Sequence, residues 1–139
     1  MKKILFVCTG NTCRSPMAEC MLRAMAPSGW LVLSAGTYAQ SGAPASQGAL
    51  RAMERRGLSL VSHRSQPVTR ALLTEMDLII GMTESHIMQL RMMYPDCKTP
   101  MRAMDDPPVS DPFGGDDAAY ERAAQDIQRQ LPALLMKEE

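Results

Sequence analysis

The sequence predicts an α/β fold: one domain over residues 1–139, with a four-stranded parallel sheet flanked by helices on both faces. Three observations carry this. Short apolar runs alternate with stretches of helical period, which is the pattern of strand–helix–strand crossovers. The run at 78–82, Leu-Ile-Ile-Gly-Met, is apolar at every position but one, as a strand buried on both faces requires. The chain has 139 residues, enough for one core and little more.

The elements follow in order. Residues 4–7, Ile-Leu-Phe-Val, read as the first strand, and 17–25 as the first helix. Trp30 to Leu33 read as a second strand that ends at the small residues Ser34, Ala35 and Gly36, where backbone can approach closely. Residues 38–45 are rich in Gly, Ser, Ala and Pro and form a loop. The stretch 46–56 puts Ala49, Leu50 and Met53 on one helical face and stops at Gly57. Residues 58–65 are an extended connector, and 69–75 a short helix with Thr69 as its cap. After the strand at 78–82 come a helix at 84–93, a weaker strand at 99–104 and a Pro/Asp/Gly loop at 105–115. A closing helix spans 117–136, with Ala119, Ala123, Ile127, Leu131 and Leu134 on one stripe and Pro132 as a point of bending or shortening.

Composition excludes several functions. Fifteen basic and fifteen acidic residues leave no net charge to recruit nucleic acid or an anionic membrane surface. No apolar run reaches the length of a membrane span. The opening Met-Lys-Lys and the apolar run behind it lack a small-residue cleavage site, so the expected location is cytoplasmic. Cys8, Cys13, Cys20 and Cys97 show no Cys-x2-Cys spacing and only two His accompany them, so no metal site is expected. Thirteen Met read as flexible core filler.

The chemistry concentrates in Cys8-Thr9-Gly10-Asn11-Thr12-Cys13-Arg14-Ser15-Pro16, between the first strand and the first helix. A helix N-terminus offers unpaired N–H groups and partial positive charge to an anion. Ser15 suits the N-cap and Pro16 the first helical position. Gly10 lets backbone come near a ligand. Asn11 tolerates a left-handed conformation that turns successive N–H groups into a nest. Arg14 supplies a planar fork for two phosphate oxygens. Cys8 then lies beside three sources of positive potential, and a thiolate with a pKa depressed into a range of roughly 3.5–7.5 is expected.

This stretch resembles the signature loop of the low-molecular-weight protein tyrosine phosphatases, and the resemblance covers nearly the whole chain. It implies the predicted fold and a nucleophilic Cys8, with Arg14 and the loop from Thr9 to Cys13 binding the phosphoryl group. It implies a general acid in Asp111, which opens Asp111-Pro112-Phe113. Without the resemblance, Asp-Pro is equally ordinary turn chemistry. Asn11, Ser15, Ser34 and His63 match a supporting hydrogen-bond network, and Tyr38 and Phe113 would wall the pocket. In the family the second loop cysteine can close a reversible disulfide with the nucleophile; Cys13 reads equally as a small buried residue. No cofactor is implied; the expected partners are phosphorylated protein substrates, and a monomer is expected.

Position 12 separates two readings. Tyrosine-directed members carry a bulky aliphatic residue there. Thr12 is similar instead to the protein arginine phosphatases, a branch that removes phosphate from phosphoarginine. Phosphoarginine hydrolysis is therefore the expectation, with phosphotyrosine as the alternative. An arsenate reductase on this fold would need two further neighbouring cysteines, and only Cys97 lies in the second half. A non-catalytic phosphoprotein-binding module would not need Cys8, Arg14 and Asp111 together.

Overall fold

The computed structural model describes residues 2–139. β1 (Lys3–Cys8) takes the centre of the sheet because each of its residues is apolar after the first, and five of the six are buried. It pairs in parallel with β2 (Leu31–Gly36) on one side and β3 (Leu78–Gly81) on the other. β4 (Met101–Ala103) extends the sheet beyond β3, giving the order β2-β1-β3-β4 with every pairing parallel.

The side-chain period of two divides β1 between two cores. Ile4, Phe6 and Cys8 face one layer, formed by α1 (Arg14–Met25), α2 (Gln47–Glu54) and α5 (Asp117–Glu138). Leu5 and Val7 face the other, formed by α3 (Arg70–Glu75) and α4 (Glu84–Met93). The chain leaves β1 toward β2 and later returns toward β3 on the opposite side. The carboxyl end of β1 is thus the switch point of the sheet, where a crevice opens for ligands.

Two local expectations are corrected. α1 begins at Arg14, inside the signature loop, with Cys13 rather than Ser15 in the N-cap position. Ser15 turns its hydroxyl toward Cys8 and Asn11 instead of capping. Pro16 falls in the first turn, where no N–H partner is lost. At the other end of the chain, α5 continues past Pro132 to Glu138. Pro132 is exposed and so is Gln128, whose carbonyl Pro132 leaves without its helical partner, so water can serve it. Thr69 caps α3 as expected, its hydroxyl accepting from the Leu72 N–H at 3.1 Å.

Candidate active site

Residues 8–14 wrap around a cavity of about 230 Å³ at the end of β1, closed on its far side by Asp111 and Phe113. The loop's shape depends on Asn11. Its φ of 58° places it in the left-handed region, which reverses the chain between Gly10 and Thr12. Its side chain is fully buried, so each polar atom must be matched. The Asn11 amide nitrogen donates to Ser15 Oγ and to Ser34 Oγ, each at 2.9 Å. Asn11 Oδ1 accepts from the Gln66 N–H at 2.9 Å, and the Asn11 carbonyl accepts from His63 Nε2 at 2.7 Å.

These assignments fix the rest of the network. Ser15 Oγ accepts from Asn11, so its proton is free for Cys8 Sγ at 2.8 Å. Ser34 Oγ likewise accepts from Asn11 and donates to Glu19 Oε1 at 2.5 Å. Asn11, Ser15, Ser34 and His63 therefore lie together behind the loop, joined through Asn11. Glu19 completes the network and was not legible beforehand. Its position one helical turn after Ser15 is the only signal the sequence offers.

The electrostatics of Cys8 differ from expectation. Cys8 is 3% exposed. Burial pushes its thiol above the ordinary value. The Ser15 hydroxyl, the N–H groups of Ser15 and Asn11 and the Arg14 charge all pull the other way without cancelling that penalty. The expected depressed pKa counted the local charges and omitted the desolvation that comes with ending a central strand.

Arg14 is 6% exposed; its Nη1 donates to the Val109 carbonyl at 3.0 Å, and its Nη2 is 3.6 Å from Asp111 Oδ2. Asp111 Oδ1 accepts from the Phe113 N–H at 3.0 Å, which folds the loop into a side-chain turn. Thr12 lines the cavity half-buried. Its hydroxyl has Cys13 Sγ at 3.8 Å as its hydrogen-bonding neighbour, while its carbonyl accepts from Ser46. Cys13 Sγ is 3.2 Å from Ser46 Oγ and 3.4 Å from the Tyr120 hydroxyl, and both loop cysteines are free thiols.

Tyr38 departs from expectation. It lines an adjoining groove with Thr9, Thr37, Gln89, Met92 and Met93, outside the cavity that Phe113 closes. A further residue, His86, is buried against the loop with Nε2 3.0 Å from Thr9 Oγ1, although 77 positions separate the two.

Known proteins match along nearly the whole chain that carries this loop. The family described as low molecular weight phosphotyrosine protein phosphatase matches residues 3–139. The chain belongs to that family. Among relatives of this phosphatase, the probable low molecular weight protein-tyrosine-phosphatase EpsP of Ralstonia nicotianae is 37% identical, over 96% of this chain and 93% of its own. The protein-arginine-phosphatase of Geobacillus stearothermophilus is 32% identical, over 97% and 95%. The solved YwlE arginine phosphatase from the same organism superposes with a TM-score of 0.92 at 31% identity, covering 99% of this chain and 92% of that one. The low molecular weight protein tyrosine phosphatase from T. tengcongensis gives the same TM-score at 32% identity, with 99% of each chain covered. The phosphatase is thus a protein phosphatase of the cysteine-dependent kind typical of its family. Among its described residues, no helix is long and apolar enough to cross a membrane.

Proposed function

We propose that this phosphatase hydrolyses phosphoarginine in proteins through a phosphocysteine intermediate. Cys8 Sγ, as thiolate, attacks phosphorus. The P–N bond breaks, and Asp111 gives its proton to the departing guanidino nitrogen. Arg14 and the loop N–H groups hold the phosphoryl oxygens through the transition state. Water then attacks the phosphocysteine while Asp111 takes its proton. The S–P bond breaks, inorganic phosphate leaves and the Cys8 thiolate is restored.

The observation that carries the substrate assignment is the Thr12 hydroxyl at the cavity wall, with a thiol at 3.8 Å as its hydrogen-bonding neighbour. A guanidino group brings N–H donors that such an oxygen accepts, and a phenyl ring brings none. A bulky aliphatic side chain at the same point would instead add apolar contact for a ring. Phosphotyrosine is the second reading, favoured by the 37% identity to the tyrosine-directed relative.

Phosphate release from matched phosphoarginine and phosphotyrosine peptides separates the two. The expected result is preference for phosphoarginine, loss of all release in Cys8→Ser, and a shift toward phosphotyrosine in Thr12→Ile. Preference for phosphotyrosine in the unmodified protein overturns the substrate assignment and leaves the mechanism standing.

A further inference from the structure

His86 lies in the first turn of α4, 4% exposed, between that helix and the signature loop. Its two ring nitrogens face different partners. Nδ1 is 3.2 Å from the backbone nitrogen of Thr83 and 2.9 Å from the Thr83 hydroxyl. Nε2 is 3.0 Å from Thr9 Oγ1. The Thr83 N–H can only donate, so Nδ1 must accept and carries no proton. The ring's one proton is then on Nε2, and Thr9 Oγ1 accepts it. That arrangement leaves the Thr9 hydroxyl proton, and a second lone pair, for whatever enters the cavity that Thr9 lines.

We propose that His86 is a positioning residue for the phosphate-binding loop: one nitrogen caps α4 while the other holds Thr9, the residue next to the nucleophile. The contact spans two elements that leave neighbouring strands. Thr9 follows β1, and Thr83 and His86 follow β3, which pairs with β1 through Val7 and Gly81. The ends of both strands are thereby tied across the switch point by a side chain. Thr9 is tied from the other direction as well, since its carbonyl accepts from the Tyr38 N–H at 3.0 Å. The loop's first residue is thus held from both flanking strands, and the geometry of its N–H groups is set before an anion arrives. Burial, then the nearby Arg14 charge, depresses the imidazole pKa to about 4, partly opposed by Asp111, so the ring stays neutral at working pH. A neutral ring is what the assignment needs, because an imidazolium could not accept from Thr83.

Two substitutions separate the cap from the loop contact. In His86→Asn the amide lies where Nδ1 was, so the cap is kept and Thr9 is released. In His86→Gln the amide reaches the place of Nε2, so Thr9 is held and the cap is lost. Inorganic phosphate, as a competitive inhibitor of aryl phosphate hydrolysis, reads the loop for either physiological substrate; thermal melting reads the cap. The expected result is a phosphate inhibition constant raised roughly two- to tenfold in His86→Asn with little change in Tm, the range for one net hydrogen bond. His86→Gln should lose Tm and keep the wild-type constant. Thr9→Val should match His86→Asn, and the double variant Thr9→Val/His86→Asn should be no worse than either. An unchanged constant in Thr9→Val, a constant that follows Tm across the residue-86 variants, or multiplying losses in the double variant would each overturn the proposal. Thr9→Val leaves the cap intact, so it decides the matter even where a residue-86 variant does not fold.

Discussion

Arg14 Nη2 lies 3.6 Å from Asp111 Oδ2, while Nη1 of the same guanidinium donates to the Val109 carbonyl at 3.0 Å. One cation therefore seats the loop that carries Asp111 against the loop that carries Cys8. Lysine keeps the charge but has a single nitrogen and no fork. Arg14→Lys should lower kcat about 10²–10³-fold, the cost of losing one preorganised donor to a developing anion. Steady-state kinetics on any accepted phosphopeptide check this, and a loss confined to KM would contradict it.

The Ser15 hydroxyl is the largest of the influences that lower the Cys8 pKa, against the burial that raises it. Ser15→Ala removes that donor, and the thiol pKa should move further up. The rate of alkylation by iodoacetamide, followed against pH, should then rise at more alkaline pH than in the unmodified protein. An unshifted or acid-shifted profile would count against the hydrogen bond at 2.8 Å.

Gly36 closes β2 directly against the loop. A Cβ built there would lie 2.3 Å from the Thr9 carbonyl oxygen and 2.7 Å from Ala39 Cβ. Backbone, not a pliable side-chain tip, is in the way. Gly36→Ala should cost about 1–3 kcal/mol of stability, as overpacking does, and should weaken phosphate inhibition as well. Urea unfolding and phosphate inhibition measured on one preparation test both halves.

The depressed pKa of His86 has a sign that can be worked out. The unfolded imidazole titrates near 6.5 and the folded one near 4, so the unfolded chain binds more protons between those values. This contribution to stability is fully present above about pH 6.5 and is lost as pH falls through about 4. The charged groups facing the ring, Arg14 and Asp111, act in opposite directions. Glu121 is held to about 2, first by its hydrogen bonds to Arg56 and then by those to Arg55, and so adds its own loss only below its ordinary 4.5. The window from 6.5 to 4.5 thus lies above the range of Glu121, and the difference between the unmodified protein and His86→Asn reads His86 within it. The urea midpoint should fall across it, and His86→Asn should flatten the fall.

Much of this was legible because it is local. Ile4 to Val7 and Leu78 to Met82 announce buried strands by composition alone. The loop residues Cys8 to Ser15 carry their chemistry in consecutive positions, whereas Asp111 is singled out by the resemblance, since Asp-Pro alone is ordinary turn chemistry. Hidden from the sequence were partners made by the fold. Glu19 meets Ser34, 15 positions away, and His86 meets Thr9, 77 positions away. Tyr38 was placed correctly in sequence and wrongly in space, because the turn after Gly36 carries it to the adjoining groove. The reversed pKa of Cys8 has the same origin: neighbours in sequence show charge, and only packing shows how much water is lost.

β1 is hydrogen-bonded on both sides, and five of its six residues are buried. Its amide protons from Leu5 to Val7 can exchange with solvent only when the sheet itself comes apart. Cys8 ends that same strand. The Cys8 thiol is thereby attached to the last segment to open, while the loop of Asp111 and the groove at Tyr38 can fray without it. Hydrogen exchange at those amides and exposure of the Cys8 thiol to alkylation in urea should report a single event, with no populated state in which the sheet is folded and Cys8 has lost its seat.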